Sequence, residues 1–245
     1  MSLLEEKNSN KRDLRVEFNE KNHSYMIDSK NKAISVTQLI QKFFPKFDKE
    51  FWANKESIKT GKSKSDILKG WEDLGEKARN LGTELHEQIE KYYNKLEYIK
   101  SRELEKFFSF HTKHIESKYK PYRTEWRVFD EDKKIAGTID MVYEKENGEL
   151  FIFDWKRSKK IINSDGSVEK KNPFENGLEG LSHLPSSDYV KYCLQQNIYK
   201  SILEKKYEKK ISSMNLLILH PHFENYHIVQ VEDFKNETQY LLESI

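Results

Sequence analysis

Residues 135–156, IAGTIDMVYEKENGELFIFDWK, hold two runs rich in β-branched and aromatic residues on either side of Glu-Asn-Gly. Two such runs around a glycine-containing turn predict a pair of antiparallel strands, at residues 135–144 and 150–156. Bulky apolar side chains alternate onto both faces of the second strand, which is typical of a strand buried on both sides. The segment therefore predicts the centre of a sheet that helices cover on both faces.

The rest of the chain predicts further elements around this hairpin. Helices are expected at residues 71–98, 102–118 and 188–206 and near the C-terminus, and strands at residues 16–18, 25–27, 123–129, 213–219 and 226–231. We expect an α/β fold with a central mixed β-sheet flanked by helices on both faces. Residues 71–245 would form this core. Residues 1–70 would form an N-terminal elaboration of a small hairpin and helices, with residues 1–13 frayed.

The composition excludes several classes of protein and site. The 43 lysines and arginines nearly balance the 41 aspartates and glutamates, so a site for a polyanion must come from local clustering. The single cysteine, Cys193, excludes an internal disulfide framework, a zinc site built from cysteines and a four-cysteine iron–sulfur cluster. No run has the apolar length of a signal peptide or a transmembrane helix, so we expect an intracellular protein with no membrane partner.

The turn in the central hairpin decides where two aspartates point. If residues 146–148 form a three-residue loop with Gly148 in the left-handed conformation, Asp140 lies directly opposite Asp154 on the neighbouring strand. A two-residue Asn-Gly loop would instead place the two carboxylates on opposite faces of the sheet. We favour the three-residue loop, which a structure can test through the register of the two strands.

The preceding turn extends this row of charges. With a two-residue tip at 132–133, or with a four-residue tip, Glu125 falls opposite Asp140, and Lys156 shares a strand face with Asp154. Like charges directly across a sheet repel, so three carboxylates in a row need a compensating cation. Their oxygen ligands favour Mg²⁺ or Mn²⁺. The alternative is a set of ordinary exposed acids on an antiparallel sheet.

Two stretches have the composition of surfaces that bind nucleic acid. Within residues 156–171 basic residues outnumber acidic ones, and Arg157, Lys159 and Lys160 lead this cluster, which suits a DNA backbone. Within residues 43–55 aromatic residues interleave with lysines, as in surfaces that stack single-stranded bases. A solvated loop and a helical core face with a charged rim are the respective alternatives.

Five short motifs give the chain a resemblance to the PD-(D/E)XK nuclease superfamily, specifically to its RecB-like branch. In order, they are the helical histidine of Gly82-Thr83-Glu84-Leu85-His86-Glu87, Glu125 in Thr-Glu-Trp-Arg-Val, Asp140 in Gly-Thr-Ile-Asp, Asp154-Trp155-Lys156, and Gln195-x-x-x-Tyr199. The match runs from about residue 70 to 220. Residues 180–185, Gly-Leu-Ser-His-Leu-Pro, look most like exonucleases of phages and large DNA viruses. Ile139 replaces the proline that usually precedes the first aspartate.

The resemblance implies a restriction-endonuclease-like core and a role for each matched residue. The implied ligands of Mg²⁺ or Mn²⁺ are His86, Asp140, Asp154 and the backbone carbonyl of Trp155. Lys156 would orient the attacking water or help to deprotonate it, and Glu125 would support the site or a second metal. Gln195 and Tyr199 would order the site and contact DNA. With one cysteine, the chain resembles the members that lack an iron–sulfur cluster.

The function expected from this resemblance is a metal-dependent DNA exonuclease that hydrolyses phosphodiester bonds in recombination, repair or replication. DNA is then the expected partner, and the sequence indicates no oligomeric state. A structure-specific endonuclease is one alternative. A catalytically silent DNA-binding subunit that keeps the fold is another, although the sequence retains every matched catalytic residue.

Overall fold

The computed structural model describes residues 2–20, 22–172 and 174–245. Its strands are β1 (Val16–Asn19), β2 (Ser24–Ile27), β3 (Asn31–Ser35), β4 (Lys120–Asp130), β5 (Ile135–Glu144), β6 (Leu150–Lys156), β7 (Ile211–Ile218) and β8 (His227–Gln230). Its α-helices are α1 (Leu3–Lys7), α2 (Val36–Gln41), α3 (Lys49–Thr60), α4 (Lys64–Tyr93), α5 (Arg102–His114), α6 (Asp188–Lys206) and α7 (Lys235–Glu243). Across these described ranges, none of the helices combines the length and the apolar character that crossing a membrane requires.

The strands form one mixed sheet in the order β1-β2-β3-β5-β6-β7-β8, with β4 beside β5. The β4 strand is antiparallel to β5 along the whole length of β5, while β6 and β7 run parallel. On the other edge of β5, β6 pairs with residues 141–144 and β3 pairs with residues 135–136. Residues 137–140 therefore lie where β3 and β6 diverge, and this fork positions the site.

The turns at the two ends of β5 fix which residues face each other. At the β5–β6 turn the Lys145 N–H donates to the Glu149 carbonyl at 2.9 Å, and Gly148 has a φ of 79°. The three-residue loop is therefore confirmed, since its left-handed position favours glycine. At the β4–β5 turn the last ladder pair is Asp130 and Ile135, and the Lys134 N–H donates to the Glu131 carbonyl at 3.3 Å. Residues 131–134, with Lys134 at a φ of 49°, therefore form a four-residue tip, which gives the same pairing of Glu125 with Asp140 as the two-residue tip.

Helices cover both faces of the sheet, as predicted. On one face α2, α6 and α7 pack on a core that includes Leu150 and Ile152 of β6. On the other face α4 and α5 pack on a core that includes Phe151, Phe153 and Trp155. Successive residues of β6 thus enter different cores, which explains why the whole strand is apolar. The α/β class with a central mixed sheet is confirmed.

The N-terminal segment packs on β4 and is not a frayed tail. The Trp126 indole N–H donates to Asp13 at 2.9 Å, and the Arg123 guanidinium donates to the same carboxylate at 2.7 Å. Both partners on β4 are buried, so each needs a polar group brought to it from another segment. The expectation of fraying is wrong for residues 2–13, and Met1 lies outside the described residues.

Helix α4 begins and ends earlier than predicted. It begins at Lys64, where the Ser63 side chain accepts from the backbone N–H of Asp66, and it ends at Tyr93 rather than Tyr98. A serine at the N-cap satisfies one of the free N–H groups of the first turn, which explains the start. The helix runs continuously through residue 70, where the sequence predicts the end of the N-terminal elaboration.

The first half of α4 lies outside the core. Leu74, which the periodicity places on a buried face, is 68% exposed, whereas Leu85 and Ile89 further along the helix are buried. This half packs against α3, whose Phe51 and Trp52 are also exposed. The helical spacing of Leu74, Leu81, Leu85 and Ile89 predicts one apolar stripe along this helix, and that prediction is wrong for its N-terminal part. Helix α3 and residues 64–80 form a helical arm that extends from the domain.

Candidate active site

Two aspartates lie at the fork where β5 and β6 diverge. The ladder ends at the pair Met141 and Phe153, and its register continues to place Asp140 opposite Asp154. The backbone N–H of Trp155 donates to Asp140 Oδ2 at 2.8 Å, which holds this carboxylate against β6. Both aspartates are buried, with exposures of 8% and 2%. The central hairpin thus brings two carboxylates to one point.

Strand β4 adds a third carboxylate, Glu125. The ladder pairs on either side of it place it opposite Asp140, as the turn geometry predicts. Its φ is 44°, in the left-handed region that a glutamate within a strand rarely adopts. Strain of this kind collects at functional sites, where the surrounding structure stabilises it. The Glu125 side chain is 31% exposed and faces an open cleft.

Helix α4 contributes His86, which bridges the three strands. His86 Nε2 lies 3.0 Å from the carbonyl oxygen of Trp155, and Nδ1 lies 3.6 Å from both Glu125 Oε1 and Asp140 Oδ2. Burial opposes protonation of the ring, but the charges of Asp140 and Glu125 outweigh it and raise the pKa of His86 to about 9. Without a metal, the imidazolium balances the carboxylates at neutral pH.

These groups fit a hard divalent cation. One donor atom each from His86, Glu125 and Asp140 lies within 4.8 Å of the other two. Carboxylate oxygens suit Mg²⁺, and an added imidazole nitrogen is compatible with Mn²⁺. Asp154, which the resemblance implies as a ligand, lies outside this group. The Trp155 carbonyl, the other implied ligand, is at hydrogen-bond distance from His86.

Asp154 instead forms a buried ion pair with Lys156, whose Nζ lies 2.5 Å from Oδ2. Burial, and then the charge of Asp140, raise the pKa of Asp154 to about 6. Burial lowers the pKa of Lys156, but Asp154 and Asp140 outweigh burial and raise it above its usual range. Lys156 therefore stays protonated, and it faces the ring of Tyr192 at 4.4 Å.

Helix α6 supplies a contact that the sequence analysis did not name. Gln196 is fully buried, and its Nε2 donates to Asp154 Oδ1 at 2.9 Å. Tyr192, which covers Lys156, precedes Gln196 by one helical turn, and Tyr199 follows Gln196 by nearly another. The spacing i, i+4, i+7 places all three on one helix face, and this periodicity is the signal that identifies them.

Gln195 and Tyr199, the predicted pair on α6, do meet each other. Gln195 Nε2 donates to the Tyr199 hydroxyl at 3.2 Å and to Thr37 Oγ1 of α2 at 3.4 Å. The Tyr199 ring packs on Gly137 of β5, where an added Cβ would lie 2.5 Å from a ring carbon. These residues therefore brace β5 at the fork, and it is Gln196, not Gln195, that contacts the carboxylate of Asp154.

The three predicted basic residues follow β6 directly. Arg157 is paired with Glu103 of α5 at 2.8 Å and only 13% of its side chain is exposed. Lys159 is exposed, and Lys160 is 77% exposed with its Nζ 4.0 Å from Asp188. Lys159 and, more loosely paired, Lys160 thus present their charge to solvent beside the site, whereas Arg157 is partly neutralised.

Comparison with known proteins adds little. No protein-family model matches the chain, and no curated protein matches it. A solved structure described as "Crystal structure of SSO0001" is similar, with 14% sequence identity over 86% of this chain and 73% of that chain. Its TM-score of 0.32 is too low to carry an argument about function.

Proposed function

We propose that the protein is a metal-dependent DNA exonuclease of the RecB-like PD-(D/E)XK type, acting inside the cell. One observation carries the proposal. Carboxylates from three neighbouring strands, Glu125, Asp140 and Asp154, converge at one fork of the sheet together with Lys156. Buried like charges are costly, so such a cluster is retained where it holds a cation or reacts.

The donor group formed by His86, Glu125 and Asp140 would hold the cation. A bound Mg²⁺ or Mn²⁺ would polarise the scissile phosphate and lower the pKa of a coordinated water. Asp140 is suited to a rigid ligand role because the Trp155 N–H fixes its carboxylate. Glu125, which is the most exposed of the three carboxylates, faces the open cleft beside the site.

Lys156 serves as a cation rather than as a base in this proposal. Its raised pKa keeps the ammonium protonated, so it orients the attacking water or stabilises charge that develops on the phosphate. Asp154 holds the ammonium in place, and Gln196 holds Asp154. Tyr192 covers the aliphatic and charged end of the lysine and limits its movement.

The experiment is a digestion of end-labelled linear DNA, single- and double-stranded, with and without Mn²⁺. Asp154→Asn and Lys156→Gln should each lower the rate by roughly a hundredfold or more, because the first removes the carboxylate that holds the ammonium and the second removes the ammonium that acts at the reacting phosphate. The matched control is Asp132→Asn, in the β4–β5 turn, where 76% of the side chain is exposed. It should digest DNA at the wild-type rate.

Circular DNA separates the exonuclease from the alternatives. An exonuclease needs a strand end, so it leaves both closed circular duplex DNA and circular single-stranded DNA intact. A structure-specific endonuclease cuts them. A wild-type protein that degrades no DNA in Mn²⁺, or an Asp154→Asn variant with full activity, would contradict the proposal.

A further inference from the structure

A cleft of about 880 Å³ opens beside the site on the side of His86 and Glu125. Its walls come from the N-terminal segment, β1, the middle of α4 and β4, with Thr138 of β5 at its floor. A volume of this order takes a ligand of small-molecule size, here one or two nucleotides, rather than a long strand. The basic residues Lys159 and Lys160 do not line it.

The charge of this cleft is unusual for a DNA-binding surface. Six carboxylates line it, against two guanidinium groups and the imidazolium of His86. The carboxylates belong to Glu5, Asp13, Glu20, Glu87, Glu90 and Glu125. One guanidinium, that of Arg123, is buried and paired with Asp13. Walls of this sign repel an extended polyanion, so the body of a DNA strand is expected on the side of the two exposed lysines.

The other guanidinium, Arg127, is the feature of the cleft that suits a phosphate. Arg127 is exposed and follows Glu125 by two residues, so both side chains face the cleft from β4. Within the described part of the chain, the Arg127 side chain takes part in no hydrogen bond and no ion pair, although Glu90 lies near enough to interact with it through charge. A free guanidinium offers two parallel N–H donors to phosphate oxygens.

We propose that Arg127 binds the phosphate that follows the scissile bond in the short segment that cleavage releases. The inference rests on the proposed function and adds a direction to it. A strand enters along the side of Lys159 and Lys160, reacts at the carboxylate fork, and places one or two terminal nucleotides in the acidic cleft. Arg127, the guanidinium of the cleft that no carboxylate pairs with among the described residues, then selects a strand end and limits the length of the product.

The test compares wild-type protein with Arg127→Ala and Arg127→Lys on a short single-stranded oligonucleotide in Mn²⁺. Neutral methylphosphonate linkages replace the phosphates one at a time from each end. The wild type should release mono- or dinucleotides. Its KM should rise by roughly tenfold or more, relative to unmodified DNA, when the linkage at one position within two nucleotides of an end is replaced. On unmodified DNA, Arg127→Ala should show the same increase in KM, with a smaller change in kcat. Replacing the phosphate at that position by a methylphosphonate should then raise the KM of Arg127→Ala no further.

Two further variants keep the result interpretable. Arg127→Lys retains charge but not the paired donors, so its KM should lie between those of the wild type and Arg127→Ala. Lys133→Ala, in the exposed β4–β5 turn, removes one positive charge elsewhere and should leave KM and product length unchanged. If Arg127→Ala keeps the wild-type KM, product length and sensitivity to methylphosphonate replacement, the inference about Arg127 is overturned, while the proposed nuclease function is unaffected. If the wild type cleaves no DNA, both fail together.

Discussion

At the scale of single residues, the site depends on how charge is balanced around His86. Its ring joins α4 to a backbone carbonyl of β6 and to carboxylates of β4 and β5. The same carboxylates that would bind a metal hold a proton on the ring in its absence. Proton and cation therefore compete for one group of ligands.

This competition predicts proton release on metal binding. Because the pKa of His86 is raised to about 9, the ring is protonated at pH 7, and a metal that takes Nδ1 displaces that proton. The Mn²⁺ affinity should rise by about tenfold per pH unit between pH 6 and 8 and level off above pH 9. Titration calorimetry in buffers of different ionisation enthalpy measures the protons released, with about one expected at pH 7. A His86→Ala variant should release none, and equal affinity at pH 6 and pH 8 would refute the competition.

A second residue-scale prediction separates two neighbouring glutamines. Gln196→Leu removes the donor to the buried Asp154 carboxylate, so it should lower kcat by roughly tenfold with little change in KM. Gln195→Leu, the matched variant one position earlier, breaks contacts to Tyr199 and Thr37 and should lower kcat less. Steady-state kinetics on linear DNA decides between them. A larger loss of kcat in Gln195→Leu would mean that the α6 contacts are assigned wrongly.

At the scale of elements, the helical arm exposes large apolar side chains of a kind that the core buries. Phe51 of α3 is 50% exposed, whereas Phe107 of α5 is fully buried between α4 and β6. Phe107→Ala should lower the free energy of unfolding by ~3–5 kcal/mol, because it opens a cavity in the core. Phe51→Ala should lower it by less than ~1 kcal/mol. Urea denaturation followed by circular dichroism measures both, and equal losses would place the arm inside the core.

The N-terminal segment supplies a pH-dependent clamp on the β4–β5 turn. Arg12 binds Glu131 through two hydrogen bonds at 3.1 and 2.6 Å, and Arg15 reaches the same carboxylate at 3.0 Å. The bond from Arg12 is the largest cause that lowers the pKa of Glu131, to about 2. Because the pKa of Glu131 is lower in the folded chain than its unfolded value of about 4.5, the ionised carboxylate stabilises the fold at pH values above 4.5. This stabilisation is lost as the pH falls towards 2.

Glu131→Gln should therefore lower the free energy of unfolding by ~1–2 kcal/mol at pH 7, allowing for partial exposure. The difference from the wild type should shrink steadily as pH falls below 4.5. Urea denaturation at pH 7, 5 and 3.5 measures it, with Glu97→Gln at an exposed glutamate as the control. A difference that does not depend on pH would mean that shape, rather than charge, makes the contact.

At the scale of the whole molecule, local patterns and tertiary packing explain different parts of the site. The register that brings Asp140 opposite Asp154 could be predicted because a short glycine turn fixes it within 15 residues of chain. The docking of His86 on β6 could be named only by resemblance, since helix-to-sheet distances depend on contacts far apart in sequence. The phase of α6 and the exposure of Leu74 likewise depend on which neighbours a helix face meets.

The most direct test of the central claim is a crystal structure of the protein with Mn²⁺, with anomalous scattering used to locate the ion. The account predicts an anomalous peak within coordination distance of Asp140 and of at least one of His86 and Glu125, at the fork of β5 and β6. If a crystal grown in saturating Mn²⁺ shows no anomalous peak at this fork, or shows a peak that Asp140 does not contact, the central claim is contradicted.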